Sequence, residues 1–240
     1  MDKSILVFGD SHTYGDGLPD CGHEKPWEQH SQLTWPYHMF DKEKKIKNFS
    51  RPGCSNDTIG LELHKNASSV AEVLIMFTYP ERLHIIKNGY NFIASHIFSQ
   101  SVSDSGNENW VAKQLNEKHA KNFKDFVVKN FDDDYLEILF LKNILFCQYF
   151  CDSNNLKYYF TLVTKREKNK MAGTLKRYRD SLYNSVKWEN IFLVEDKYGF
   201  VDYAKKINAK RGLDGEHFGQ GYHELFGKLF LDWIKEKKQV

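Results

Sequence analysis

A serine near the start of the chain and an aspartate-histidine pair near its end have the residue types of a nucleophilic catalytic site. Ser11 follows the apolar run Ile5 to Phe8, and Asp214 precedes His217 by three residues. A serine nucleophile needs a base to take its proton, and a histidine base needs a carboxylate to hold its tautomer. Each motif alone also fits a helix cap or an exposed turn. Together they favour Ser11 as nucleophile, His217 as base and Asp214 as its partner.

Five short apolar runs alternate with longer amphipathic stretches and predict an α/β fold. The runs are Ile5 to Phe8, Ile46 to Phe49, Val73 to Phe77, Tyr158 to Leu162 and Ile191 to Val194. Strands that alternate with helices form a parallel sheet with helices on both faces. Ligands of such sheets bind beyond the carboxyl ends of the strands, which is where Ser11 follows the first run.

The length and the helical patterns predict one domain over residues 1–240. A Ser-, Asp- and Asn-rich stretch, Ser95 to Asn109, predicts a surface loop or lid around residues 84–109. Apolar residues at helical spacing predict core faces of helices. They are Phe123, Phe126, Val127, Phe131, Leu136, Leu139, Phe140, Ile144, Leu145 and Tyr149, and near the end of the chain Leu225, Leu229, Phe230 and Trp233.

The charge balance and the cysteines exclude several classes of protein. Lys and Arg total 34 against 32 Asp and Glu, so we expect no nucleic-acid or membrane partner. The apolar run after the N-terminal Met-Asp-Lys is too short for a signal peptide or a membrane span. The four cysteines lack CxxC spacing and predict buried free thiols. We therefore expect a cytoplasmic protein, although lysis can release such a protein to an outside substrate.

No cofactor or metal motif stands out. The sequence Gly15-Asp16-Gly17 lacks the further glycine or Lys-Ser/Thr of nucleotide-binding loops, and the histidines have no zinc-ligand spacing. His12 and His23 flank the nucleophile region and are candidates to line a cleft. Trp27, Trp35 and Tyr37 have the shape to stack on a sugar, but such aromatics more often pack.

Three sequence blocks in a fixed order resemble the SGNH (GDSL-like) hydrolase family. Gly9-Asp10-Ser11 is similar to the family's first block and Asp214-x-x-His217 to its last. Between them, Gly53 resembles the glycine of the second block. The resemblance spans nearly the whole chain and implies a flavodoxin-like, three-layer α/β/α fold with a five-stranded parallel sheet. It also implies ester hydrolysis through an acyl-enzyme without a metal, with the backbone N–H groups of Ser11 and Gly53 binding the oxyanion.

The third block of the family is missing. The family's asparagine at this point is a further oxyanion donor, whereas here the third strand leads into Thr78-Tyr79-Pro80-Glu81-Arg82. Candidate substitutes are Thr78, Tyr79 and Arg82, together with Asn56 in the preceding loop. An ion pair explains Arg82 equally well and a turn explains Tyr79, so the sequence leaves the choice open.

The sequence thus predicts a serine esterase for short, acetyl-type acyl esters, with saccharide esters as the expected substrate by analogy with the family. Two alternatives remain. One is an SGNH-fold binding module with weak or no catalysis, since a fold does not fix a function. The other is an acyltransferase, which shares the acyl-enzyme but passes the acyl group to an acceptor other than water. No assembly signal is present, and we assume a monomer.

Overall fold

The structure is a computed structural model of the 240-residue chain, and it describes most of the sequence. The described residues are 4–21, 29–40, 45–67, 72–87, 90–94, 133–165 and 173–239.

A five-stranded parallel sheet forms the centre of the described structure. Its strands are β1 (Ile5–Phe8), β2 (Ile46–Asn48), β3 (Glu72–Phe77), β6 (Lys157–Leu162) and β7 (Ile191–Phe192). Their order is β2-β1-β3-β6-β7, with every neighbouring pair parallel. All five predicted strands are present, and the predicted doubly wound fold class is confirmed. Strand order reverses beside β1, which is the point where ligands of open α/β sheets bind.

Helices cover both faces of this sheet, as the apolar character of β1 and β3 requires. The helices are α1 (Ser11–Tyr14), α2 (Asn56–Asn66), α3 (Asp133–Ser153), α4 (Gly173–Ser185), α5 (Phe200–Lys206) and α6 (Gln220–Gln239), with short 3-10 helices at Trp35–His38 and Trp188–Asn190. Residues of α2 and α3 pack into one buried cluster with Leu6 and Ile75. Residues of α5 and α6 pack into a second cluster with Val7 and Leu74 on the other face. The alternation along β1 and β3 therefore separates the two cores.

The predicted helical core faces are confirmed in part. Leu136, Phe140 and Ile144 are buried on α3, and Phe230 is buried on α6. Tyr149 and Leu225 were predicted as core residues, which is wrong, because 74% of Tyr149 on α3 and 37% of Leu225 on α6 are exposed. Phe123, Phe126, Val127 and Phe131 lie outside the described residues. All four cysteines are free and buried, as predicted.

The described part of the predicted surface loop or lid around residues 84–109 contains two paired strands. Strands β4 (Leu83–Lys87) and β5 (Tyr90–Ala94) pair antiparallel there, with Lys87 opposite Tyr90. The physical reason is local, since both segments are rich in β-branched and aromatic residues and only two residues separate them. The Ser95 to Asn109 stretch lies outside the described residues. No helix in the described ranges has the length and apolar character needed to cross a membrane.

Helix α6 is held against the nucleophile region through the 3-10 helix Trp35–His38. The backbone N–H of Trp35 donates to Nδ1 of His223 on α6 (3.3 Å), and its indole Nε1 donates to Oγ1 of Thr13 on α1 (3.3 Å). Gly227 of α6 lies against the same 3-10 helix, where an added Cβ would stand 2.5 Å from the Trp35 carbonyl oxygen. Close approach at Gly227 thus sets the distance between α6 and α1.

We expect Gly227→Ala to lower the free energy of unfolding by about 1 to 3 kcal/mol, because its methyl group has no space against Trp35. The matched control is Gly221→Ala in the same helix, where an added Cβ meets nothing within 4 Å. This control should be neutral or stabilising by up to about 1 kcal/mol, since Ala is the better helix former. Urea unfolding of both variants measures the difference. Equal stabilities would contradict the close packing at Gly227.

Candidate active site

Ser11 is the first residue of α1, directly after the carboxyl end of β1. The capping role belongs to Asp10, whose carboxylate accepts the N–H of His12 at 3.0 Å. The side chain of Ser11 therefore does not cap the helix, which removes the plainer explanation of this serine. Ser11 is 4% exposed, and none of the described residues forms a hydrogen bond with its hydroxyl. The hydroxyl is thus left available at the sheet edge.

Asp214 and His217 form a hydrogen-bonded pair within one loop. Oδ2 of Asp214 lies 2.6 Å from Nδ1 of His217, and Oδ1 accepts the backbone N–H groups of Glu216 and His217 at 2.9 Å each. Burial raises the pKa of Asp214, but the hydrogen bonds from His217 and Glu216 outweigh it and hold the pKa below its ordinary value. An ionised Asp214 accepts a hydrogen bond from Nδ1–H of His217, so Nε2 of His217 carries the lone pair of a base.

The Asp214 loop is fastened to the turn that follows α1. The N–H of Leu213 donates to the carbonyl oxygen of Gly17 at 2.7 Å. Neither Gly17 nor Gly212 has space for a side chain at this contact, since a Cβ on Gly17 would lie 2.6 Å from Oδ1 of Asp214. The approach brings the ring of His217 to 5.1 Å from the ring of His12, centroid to centroid. The structure thus brings His217 beside the immediate neighbour of Ser11.

Ser11 and His217 are not hydrogen-bonded to one another in the described structure. Catalytic hydrogen bonds are often long without substrate and tighten when substrate binds, so the missing hydrogen bond is compatible with a catalytic pair. What the geometry does supply is a serine at a strand end, a histidine next to it and a carboxylate that orients the histidine.

Ser11 and Gly53, whose backbone N–H groups are the predicted oxyanion donors, lie in the segments that follow β1 and β2. The loop after β2 reaches β1 through the Arg51 N–H and the Cys54 thiol, which both donate to the Gly9 carbonyl oxygen at 3.1 Å. Gly53 lies in this loop with a φ of +70°, a left-handed conformation that favours glycine. Within the described ranges, the N–H groups of Ser11 and Gly53 donate no hydrogen bond.

The four candidate substitutes for the missing asparagine lie together at the ends of β1 and β3. Asn56 bonds with both of its amide atoms to the backbone of Thr78. The Thr78 hydroxyl and Arg82 Nη1 donate to Oδ2 of Asp10 at 2.8 and 2.9 Å. Tyr79 lies under the guanidinium of Arg82.

Asp10 is the link among these residues and was not singled out from the sequence. Its carboxylate is fully buried. Burial raises the pKa of Asp10, but the positive charge of Arg82 and the Thr78 hydrogen bond outweigh it, so the pKa lies below its ordinary value. The only sequence signal for this role is its place before Ser11.

Asp16 and His12 also belong to the site. Burial raises the pKa of Asp16 to about 6, and the charge of His217 opposes this rise. Burial lowers the pKa of His12 to about 4, and its ring contacts His217 as described above. His12 was predicted as a cleft candidate from its position. The signal missed for Asp16 is its place in the glycine turn that receives the Asp214 loop.

The aromatic candidates for sugar stacking fare differently. Trp35 is fully buried and unavailable to a ligand, because it joins α1 to α6. Tyr37 is partly buried, and its hydroxyl lies 2.7 Å from Nε2 of His30. Trp27 and His23 lie outside the described residues. Within the described ranges, no cluster of three or more His, Cys, Asp and Glu side chains is arranged for a metal ion.

Comparison with known proteins gives structural similarity without sequence similarity. Neither a protein-family profile nor a curated protein matches the sequence. A carbohydrate esterase whose active site displays divergent catalytic and non-catalytic binding functions is 14% identical with a TM-score of 0.51, over 99% of this chain and 69% of that chain. The psychrotrophic esterase EstA from Pseudoalteromonas sp. is 13% identical with a TM-score of 0.49, over 100% of both chains. The lipase/acylhydrolase from Enterococcus faecalis is 14% identical with a TM-score of 0.47, over 98% and 96%.

Identities this low show the fold alone. The chain has the fold of the SGNH hydrolases, a five-stranded parallel sheet with flanking helices. The roles of Ser11, Asp214, His217 and Gly53 remain predictions that the geometry accommodates.

Gly17→Ala tests the contact that places Asp214. We expect it to slow labelling of Ser11 by a fluorophosphonate on the order of 10²-fold, because the methyl group displaces Asp214 from His217. The control is Gly215→Ala, which has a similar φ of +72° but no atom within 4 Å of an added Cβ. Both variants lose about 1 to 2 kcal/mol from the left-handed backbone. Equal labelling rates would contradict the positioning role of Gly17.

Asp16→Asn tests the environment of the Asp16 carboxyl. Its pKa is raised from 3.8 to about 6, so the ionised form destabilises the folded state and this loss of stability appears as pH rises from about 4 through about 6. We expect the variant to melt at a higher temperature than the wild type at pH 7.5 and at the same temperature near pH 4. Asp232→Asn on the exposed face of α6 is the control. A melting-temperature difference independent of pH would refute the assignment.

Proposed function

We propose that the protein is a serine esterase of the SGNH type, with Ser11, His217 and Asp214 as its catalytic triad. The single observation that carries the proposal is the 2.6 Å bond between Asp214 and His217, held beside the Ser11 helix by Gly17. Two independent parts of the chain, about 200 residues apart in sequence, meet at the carboxyl edge of the sheet. Such a meeting is where α/β folds place their chemistry.

In the proposed mechanism Ser11 Oγ attacks the ester carbonyl while Nε2 of His217 takes its proton. The carbonyl electron pair moves onto oxygen, and the N–H groups of Ser11 and Gly53 donate hydrogen bonds to this oxyanion. Each donor stabilises the transition state by roughly 3 kcal/mol. The tetrahedral intermediate collapses to an acyl-enzyme, and His217 returns the proton to the leaving alcohol. His217 then takes a proton from water, whose oxygen attacks the acyl carbon, and returns it to Ser11 Oγ as the acid leaves. Asp214 holds the tautomer of His217 and stabilises its imidazolium form.

The substrate we favour is a short acyl ester on a saccharide. Support comes from the similarity to a carbohydrate esterase, which shares the fold. Asp16 supports it as well, since a carboxylate in the site accepts hydrogen bonds from sugar hydroxyl groups. A catalytically weak binding module and an acyltransferase remain the other two candidates, and the experiment below separates them.

The test is covalent labelling of the purified chain with a fluorophosphonate, with the adduct located by mass spectrometry, and p-nitrophenyl acetate turnover in parallel. We expect an adduct on Ser11 that is lost in Ser11→Ala and His217→Ala, with turnover reduced roughly 10⁴- to 10⁶-fold. Asp214→Asn should lose on the order of 10⁴-fold, because the wrong tautomer of His217 is then favoured. Controls are Ser181→Ala on α4 and His64→Ala on α2, both exposed.

The outcomes separate the candidates. A folded wild type with neither adduct nor turnover contradicts the esterase and favours a binding module. A protein that is labelled at Ser11 and that, without the probe, converts acetylated xylo-oligosaccharide to free acetate is a hydrolase. A protein that is labelled at Ser11 and that, without the probe, passes acetyl groups to an added sugar in preference to water is a transferase.

A further inference from the structure

The candidate donors at the end of β3 differ in how many polar groups they still have available. Asn56 accepts the Thr78 N–H at 2.9 Å and donates to the Thr78 carbonyl oxygen at 3.1 Å, so it closes the strand end. The single hydroxyl proton of Thr78 is directed to Asp10 at 2.8 Å. Thr78 therefore has no donor left for an oxyanion, and Asn56, which is 3% exposed and holds the Thr78 backbone with both of its amide atoms, has a single amide N–H left.

Tyr79 also has another role. Its ring packs against the core cluster on the α5 side of the sheet and lies 5.1 Å beneath the guanidinium carbon of Arg82. The ring thus supports Arg82 from below through a cation-π contact.

Arg82 is the candidate with the most N–H donors left. Among the described residues its guanidinium makes one hydrogen bond, from Nη1 to Asp10 Oδ2 at 2.9 Å. A guanidinium has five N–H groups, so four remain. Its nitrogens are absent from the described buried polar atoms that lack a partner, and 7% of the residue is exposed, so the unused N–H groups retain access to solvent.

The charge of Arg82 is centred on the site. Its charge helps to hold the pKa of Asp10, at the start of α1, below its ordinary value; burial raises the pKa of Cys54, beside Gly53, to about 12, and Arg82 opposes that rise. It also acts on His12 and Asp16. Three of these residues, Asp10, His12 and Cys54, are direct sequence neighbours of Ser11 and Gly53, the two proposed oxyanion donors.

We propose that Arg82 is a catalytic residue that donates a hydrogen bond to the oxyanion, in place of the asparagine that the chain lacks. The proposal rests on the proposed function. When Ser11 Oγ bonds to the acyl carbon, the carbonyl electron pair moves to oxygen and the serine proton moves to His217. Arg82 keeps all its protons and supplies only a charged donor. Asp10 and the Tyr79 ring hold the guanidinium in position before the reaction, which is the condition for electrostatic catalysis.

A charged donor differs from an amide in strength and in dependence on its partner. Hydrogen bonds from a guanidinium to an anion are roughly twice as strong as neutral ones. The buried Asp10 carboxylate also needs Arg82 as a counter-ion, so removing Arg82 alone disturbs the fold as well as the chemistry. The test must therefore separate these two effects.

The experiment compares Arg82→Gln with the double variant Asp10→Asn/Arg82→Gln, which removes both buried charges. We measure kcat and KM for p-nitrophenyl acetate, inhibition by phenylboronic acid, whose adduct with serine is tetrahedral and anionic, and melting temperature. We expect Arg82→Gln to lose on the order of 10²- to 10³-fold in kcat with KM little changed, and boronate affinity to fall in parallel. The double variant should regain melting temperature but not kcat or boronate affinity.

Arg82→Lys is the second variant, since it keeps the charge and loses the planar fork. We expect it to retain part of the lost kcat at an unchanged KM. Recovery of kcat and boronate affinity in the double variant would overturn the proposal, because Arg82 would then only neutralise Asp10. So would an Arg82→Gln protein with full kcat. A wild type without labelling or turnover refutes the proposed function itself, whereas an active wild type with an equally active Arg82→Gln refutes only the role of Arg82.

Discussion

The buried carboxylate of Asp10 is the interaction on which the rest of the site depends. It lies at the end of β1, caps α1 through the His12 N–H, and accepts hydrogen bonds from Thr78 and Arg82 at the end of β3. A fully buried charge is tolerated only when it is paired and hydrogen-bonded. Its partners are therefore fixed, and with them the start of the helix that carries Ser11. One side chain thus joins two neighbouring strands at the point where the strand order reverses.

A second constraint, independent of the first, determines the position of His217, the proposed base. The Asp214 loop contacts the turn after α1 where Gly17 and Gly212 lack side chains, and α6 continues from this loop into the core. Trp35 connects α6 back to α1 through its two N–H groups. The position of His217 is therefore determined by backbone packing on both sides of the loop, whereas the position of Ser11 is determined by a buried ion pair.

The sequence predicted what periodicity and motif order encode. Five strands and the position of Ser11 after the first of them follow from apolar runs, and the pairing with Asp214 and His217 follows from residue type. It did not predict the role of Asp10, because its hydrogen bond with Arg82, 72 positions away, depends on the tertiary fold. The β4–β5 ribbon was missed because the polar stretch after it dominated the interpretation of a short Asn-Gly hairpin signal. Tyr149 was predicted as core from the spacing of the larger apolar residues, whereas the buried face of α3 continues through Cys147 and Cys151.

The three histidines around the site differ in burial, and this difference bears on the choice of the proposed base. The pKa of His12 is lowered to about 4 and that of His223 to about 3, in both cases chiefly by burial, so both rings are neutral at neutral pH. Each has one ring nitrogen without a partner among the described residues, Nδ1 of His12 and Nε2 of His223. His217 is the member of this group whose ring is bonded to a carboxylate, and it is also the least buried. In the proposed mechanism the proton from Ser11 is placed on His217, because an imidazolium on either of the two buried rings would be desolvated.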